Sequence, residues 1–120
     1  MHSLPLFIAL LACAAIVVIG ARFLLTPRRA TADFGVGAED VRALSAIKGV
    51  RDITSGVVLL VVWAVAGPGV LGWALVAAAV TPTADAVIVL TRGGKRATAL
   101  GVHGLTAVVL VAAGLLLALG

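Results

Sequence analysis

All nine lysine and arginine residues of this chain lie in two stretches, Arg22 to Arg51 and Arg92 to Arg96. Long apolar segments surround and separate these stretches, and the central connection Gly67-Pro68-Gly69 carries no charge. Short loops rich in Lys and Arg are retained on the cytoplasmic side of a membrane. The distribution of basic residues therefore predicts a membrane protein that crosses the bilayer several times and keeps both basic loops in the cytoplasm.

The composition indicates that lipid is the main solvent of the chain. Of its 120 residues, 62% are hydrophobic and 12% are charged, whereas a typical soluble domain is about 25% charged. A spanning helix needs about 20 apolar residues, and residues 4–25, 47–66, 70–91 and 97–119 each supply such a run. We predict a single-domain, all-α bundle of four transmembrane helices with the N- and C-termini on the outer side.

Two tryptophans frame the uncharged turn between the second and third spans. Trp63 and Trp73 lie at equal distances on either side of Gly67-Pro68-Gly69. Tryptophan favours the headgroup region of a bilayer. The pair is therefore interpreted as interfacial anchors at the outer face, with two aromatic side chains in lipid or in the protein core as the alternative.

The connection between the first two spans contains a helix-end signal, a turn signal and one candidate helix. Thr26-Pro27-Arg28-Arg29 is typical of a helix end, and the glycines of Asp33-Phe34-Gly35-Val36-Gly37 indicate a turn. Residues 38–46 then place acids before an apolar run, as at the start of a helix. We expect this helix to lie in the membrane interface, and the alternative is that it leads directly into the second span.

Every predicted span carries ionisable side chains near its cytoplasmic end. These residues are Arg22, Arg51, Asp52, Asp85 and His103. At about 1.5 Å per residue they lie roughly 5–10 Å from the ends of their helices. We predict that they form an intramembrane polar layer on the cytoplasmic side, and this layer is the candidate functional site.

Asp85 is the least favourably placed member of this layer. It lies near the carboxyl end of its span, where the helix dipole opposes an anion, so it must pair with Arg51 or Arg22 or hold a proton. Pro82 precedes it and removes a backbone donor, which predicts a helix kink. The alternative is that neighbouring helices and threonine hydroxyls repair the bend. His103 lies near the start of the fourth span, where the helix dipole disfavours a cation. We therefore expect a neutral His103 unless an acid pairs with it.

Two interpretations of the polar layer compete. In the structural interpretation, the pairs Arg51–Asp85 and Lys48–Asp52 fix the register of the helices. In the functional interpretation, the layer is a proton relay or an anion-binding pocket, because ionisable residues inside a membrane are commonly functional.

Several of these residues carry a resemblance to a known family. Gly49-Val50-Arg51-Asp52 opens the second span, Asp85 lies late in the third and His103 early in the fourth. In these features the chain resembles small four-helix integral membrane proteins of bacteria and fungi that carry a domain of unknown function and are broadly similar to DoxX-like membrane proteins. The resemblance implies a membrane bundle and no established reaction. Small multidrug exporters resemble the chain poorly. Their mechanism depends on an acidic residue deep in the first span, and residues 4–21 of this chain contain none.

Three classes of function follow from these features. The favoured one is a non-enzymatic accessory or structural membrane protein. The second is a small proton-coupled transporter or carrier that uses Asp85, Arg51 and His103. The third is a membrane enzyme acting on a lipid or quinone-like substrate, with His103 and Asp85 as acid and base. Because Cys13 is the single cysteine and no paired-histidine motif is present, we expect no metal and no cofactor.

The expected partners follow from the position of the charges. Most basic residues flank spans, so we expect contact with anionic headgroups at the cytoplasmic face and no binding of nucleic acid. Small residues in the spans would allow a homo-oligomer or a membrane-protein partner. The expected location is the inner (plasma) membrane, as a multi-pass protein.

Overall fold

The computed structural model describes residues 3–120, and this part of the chain consists of helices and short connections, with no strand. Six α-helices and one π-helical segment follow each other along it. They are α1 (Ser3–Leu25), α2 (Pro27–Phe34), α3 (Val41–Ala78), α4 (Val80–Thr91), α5 (Arg96–Thr98), the π segment (Ala99–Gly104) and α6 (Leu105–Leu119). The all-α expectation is confirmed.

Three helical stretches are long and apolar enough to cross a membrane. They are Ser3–Leu25, Val41–Thr91 and Arg96–Leu119. Most of their large apolar side chains are exposed, which is the usual condition of helices whose solvent is lipid. The chain therefore has the features of a membrane protein.

By its internal contacts the chain divides into two compact units, Met1–Lys48 and Gly49–Gly120. In the first unit, α1 ends at Leu25 and α2 begins at Pro27. Proline is favoured at the first helical position because the missing N–H has no partner there in any case. Gly35 closes α2 with φ 111°, a left-handed conformation that glycine adopts at low cost. The sequence analysis predicted the turn at Gly35 and missed α2.

The helix that follows this turn is continuous with the second span. The Asp40 carboxylate accepts the backbone N–H of Ala43 at 2.9 Å, and this N-terminal cap starts α3 at Val41. The prediction that residues 38–46 form a separate interfacial helix is therefore wrong. The physical reason is that no residue between Val41 and the start of the predicted second span at Ile47 breaks a helix, and Gly49 just beyond costs only about 1 kcal/mol in a helix interior.

Two interruptions divide the long apolar stretch Val41–Thr91. Gly67 has φ 86° and ψ 178°, which is non-helical, and Pro68 follows it as the first residue of the next helical run. The second interruption lies at Ala79, just before α4. Pro82 lies in the first turn of α4 and has no N–H to give to the preceding turn. The extent of the bend that Pro82 causes stays a prediction.

In the second unit, α4 packs against the π segment and α6. Farther from the turn that follows α4, the backbone of Gly72 in α3 comes close to the backbone of Gly114 in α6. A Cβ atom at Gly72 would lie 2.4 Å from the Gly114 carbonyl oxygen, and a Cβ at Gly114 would lie 2.6 Å from the Gly72 carbonyl oxygen. Only helices with glycine at the crossing can approach this closely.

Small residues continue this contact along both helices. Gly72, Ala79 and Ala86 are buried and lie seven residues apart, which keeps them on one helical face. Ala99 and Gly114 are buried on the opposing helix. We call this line of contact the small-residue seam, defined by these five residues.

Candidate functional site

The first predicted site residue, Arg22, lies in the first unit and has a partner there. Its guanidinium is 2.7 Å from the carboxylate of Asp33 on α2, with 44% and 59% of the two side chains exposed. The neighbouring rings of Phe23 and Phe34 meet edge to face, with centroids 6.2 Å apart. Exposed pairs of this kind contribute about 0–1 kcal/mol. Arg22 and Asp33 therefore join the end of α1 to α2 with a weak polar contact.

Arg51 and Asp52 lie on α3, and both are exposed. The carbonyl oxygen of Arg51 accepts a hydrogen bond from the Ser55 hydroxyl at 2.9 Å. Within residues 3–120 the Arg51 guanidinium makes no ion pair, so the predicted pair between Arg51 and Asp85 is not formed. The pair between Lys48 and Asp52 stays a prediction.

Asp85 lies on α4 and is half-buried. It lies one turn after Pro82 and next to Ala86, which are both buried. In the part of the chain that the structure describes, its carboxylate has no hydrogen bond and no ion pair. Asp85 thus lies at the edge of the small-residue seam, and its carboxylate oxygens accept no hydrogen bond from the described residues.

His103 lies in the π segment and is also half-buried. It is one turn beyond Ala99, a fully buried residue with 0% exposure. Like Asp85, its side chain has no hydrogen bond or ion pair with any described residue. Because the π segment packs directly against α4, the two ionisable side chains belong to neighbouring elements.

The π segment changes the spacing along the last helix. A π turn closes i→i+5 hydrogen bonds and so takes up one residue more than an α turn. Ala99 and Ala107 are eight residues apart and Ala107 and Gly114 are seven apart. The extra residue in the first interval equals the one that a π turn takes up, and this spacing predicts that the three residues share one helical face. Such π turns are frequent at functional sites.

The model of a protein family described as a domain of unknown function, DUF4267, matches residues 13–117. The chain belongs to the DUF4267 family. No curated protein and no solved structure matches this DUF4267 protein. The likeness to DoxX-like membrane proteins stays a prediction, and the chemistry of the site rests on the residues themselves.

The other residues that the sequence analysis singled out in this DUF4267 protein, the two tryptophans and the cysteine, are exposed. Trp63 and Trp73 lie on α3, before and after Gly67, and about half of each side chain is exposed. Their role as anchors stays a prediction. Cys13 is a free, exposed thiol. Residues 3–120 contain no cluster of three or more His, Cys, Asp or Glu side chains that could hold a metal ion.

Of the five predicted site residues, Asp85 and His103 lie on elements that pack against each other, and no hydrogen bond or ion pair joins their side chains. Sequence reasoning missed three features: the Asp33 partner of Arg22 in the first unit, and the π segment and the seam through Gly72 and Gly114 in the second. The seam had a readable signal, since small residues recur at seven-residue intervals before the basic turn and at seven and eight after it.

Proposed function

We propose that this DUF4267 protein is a four-span integral membrane protein of the inner (plasma) membrane with a non-enzymatic accessory or structural role. The length of the helices supports four spans. Val41–Thr91 contains 51 residues, which is about 75 Å of helix at about 1.5 Å per residue. The hydrocarbon core of a bilayer is about 30 Å thick, so this stretch is long enough for two spans. Gly67 supplies the reversal between them.

The orientation follows from the basic residues. Arg28 and Arg29 begin α2, and Arg92, Lys95 and Arg96 surround the turn between α4 and the π segment. Retention of these loops in the cytoplasm puts both termini on the outer side. The same five side chains would then contact anionic headgroups of the inner leaflet. A homo-oligomer or a membrane-protein partner remains part of this proposal.

The observation that carries the accessory role is the composition of the small-residue seam. The buried positions of the second unit are glycine, alanine and proline, and at Gly72 and Gly114 the contact is backbone against backbone. A seam of this kind serves helix association in lipid. The enzyme hypothesis has no comparable support.

One observation favours a second candidate, a small proton-coupled carrier. Asp85 lies within a predicted span and has no ion-pair partner among the described residues. A carboxylate in such a place is a candidate for proton binding.

Asp85→Asn distinguishes the two candidates. Because no ion pair is lost, we expect its stability in detergent to stay within about 0.5 kcal/mol of the wild type. For an accessory protein, we also expect that neither wild type nor variant dissipates a pH gradient imposed across proteoliposomes, measured with an internal pH dye against empty vesicles. A proton flux that is present in the wild type and lost in the folded variant would replace the accessory role with that of a carrier.

A further inference from the structure

We propose that α2 is a membrane-interfacial helix that lies across the cytoplasmic end of the first span and presents Arg29 to anionic lipids of the inner leaflet. This inference rests on the proposed membrane placement of α1 and deepens it, because it assigns a lipid partner to one particular element. The partner is a phospholipid headgroup with a net negative charge.

The contacts of its last turn show that α2 does not continue the direction of α1. The Asp33 carboxylate lies 2.7 Å from the Arg22 guanidinium. The ring centroids of Phe34 and Phe23 are 6.2 Å apart. If α2 continued the axis of α1, its last turn would lie roughly 16 Å beyond the α1 residues that it contacts. The carboxyl end of α2 therefore lies back beside the end of α1.

The length of α2 then fixes how it runs. It begins two residues after α1 ends, and its eight residues make a helix about 12 Å long. The α1 residues at its far end lie two and three positions before Leu25, which is a return of only about 3–5 Å along the axis of α1. Thus α2 runs more across α1 than along it. When α1 crosses the bilayer, α2 lies close to the plane of the membrane, at the level of the headgroups.

One face of α2 suits the hydrocarbon side of this position. It consists of four residues at helical spacing, Pro27, Ala30, Thr31 and Phe34. Ala30 and Thr31 are buried, whereas about half of Phe34 is exposed and is available to lipid. A helix with an aromatic residue on one face and basic residues on the other lies in the plane of the interface.

The opposite face of α2 carries three charged side chains. Asp33 is paired with Arg22, and the Arg28 guanidinium lies 2.9 Å from the Glu39 carboxylate. The third, Arg29, is exposed and makes no ion pair with any residue from 3 to 120. A guanidinium binds phosphate oxygens through two parallel N–H donors. A zwitterionic lipid already holds a cation beside its phosphate, so a lipid with a net negative charge is the better partner for Arg29.

Spin labels on α2 test its direction in the membrane. In the Cys13→Ser background, single labels are attached at Arg28→Cys and at Ala32→Cys, one turn apart on the polar face. Their accessibility to oxygen and to a nickel chelate gives their depth in nanodiscs. We expect the label at 32 to lie at the depth of the label at 28 or up to about 3 Å deeper. A label at 32 about 6 Å farther out, or two labels in bulk water, would overturn the proposal.

Energy transfer from a dye on Ala32→Cys identifies the lipids around α2. The nanodiscs consist of phosphatidylcholine with a small fraction of acyl-labelled phosphatidylglycerol, or of acyl-labelled phosphatidylcholine as the reference. With Arg29 present, we expect stronger transfer to phosphatidylglycerol. Arg29→Gln should lower this preference about fivefold, which is the effect of one basic residue at an anionic surface.

Two further variants are matched to this change. Arg29→Lys retains the positive charge and is expected to retain most of the preference, whereas Glu39→Gln releases Arg28 and should raise it. Equal transfer to the two lipids with Arg29 present, or an unchanged preference in Arg29→Gln, would contradict the proposed lipid partner. An error in the four-span arrangement would instead appear in the accessibility of the turns at Gly69 and Lys95, and it would leave the depths at 28 and 32 unchanged.

Discussion

Gly72→Ala is expected to destabilise the helix pair of the second unit by about 1–3 kcal/mol. The added Cβ would lie 2.4 Å from the Gly114 carbonyl oxygen and 2.5 Å from the Ala118 nitrogen. Both atoms belong to the backbone, so no side chain can rotate away and the helices must separate. Separation loses the contacts of the small-residue seam on both sides of the crossing. Reversible unfolding in mixed micelles, followed by circular dichroism, measures this loss.

Gly56→Ala is the matched control for this change. Gly56 lies on the same helix, and nothing is within 4 Å of the position its Cβ would take. Alanine favours a helix by roughly 0.5–1 kcal/mol over glycine, so the control is expected to be neutral or stabilising. Equal effects of the two substitutions would contradict the close crossing at Gly72.

Gly67→Ala has the second largest expected effect. With φ 86° and ψ 178°, Gly67 occupies a region of backbone space that is essentially restricted to glycine, and another residue there costs about 1–3 kcal/mol. The Gly67 Cβ would meet no atom within 4 Å, so the penalty comes from the backbone alone. We expect a lower thermal midpoint and lower abundance in membranes.

The neighbouring Gly69 provides the control for this turn. It also has open space around its Cβ position, but its φ is not positive. Gly69→Ala is therefore expected to leave the thermal midpoint unchanged or to raise it slightly. A loss in Gly69→Ala as large as that in Gly67→Ala would show that the turn does not depend on the conformation of Gly67.

Much of the helical framework was readable from the sequence because lipid-exposed helices require long apolar runs. The interruptions at Gly67 and in the basic turn follow from residues that have a distinct backbone preference. The missed helix α2 has only eight residues and little apolar character, so its signal is weak. The proposed interfacial helix failed because an acid at Asp40 marks the start of a helix and says nothing about its length.

The candidate site was predictable in residue type and much less so in pairing. Arg22 was expected to point toward the polar layer, yet it meets Asp33 because α2 folds back beside the end of α1. His103 was predicted to be an intramembrane histidine, but periodicity alone does not reveal a π turn. The eight-residue interval between Ala99 and Ala107 becomes informative only once the facing seam at Gly72 and Ala86 is known.

Cysteine accessibility tests the proposed four-span arrangement most directly. Cys13 is the only cysteine, so Cys13→Ser provides a background in which Gly69→Cys and Lys95→Cys report the two turns. In right-side-out membrane vesicles, a membrane-impermeant maleimide should label Gly69→Cys at once and Lys95→Cys only after the membrane is permeabilised. Labelling of Lys95→Cys in sealed vesicles, or protection of Gly69→Cys there, would contradict the four-span account.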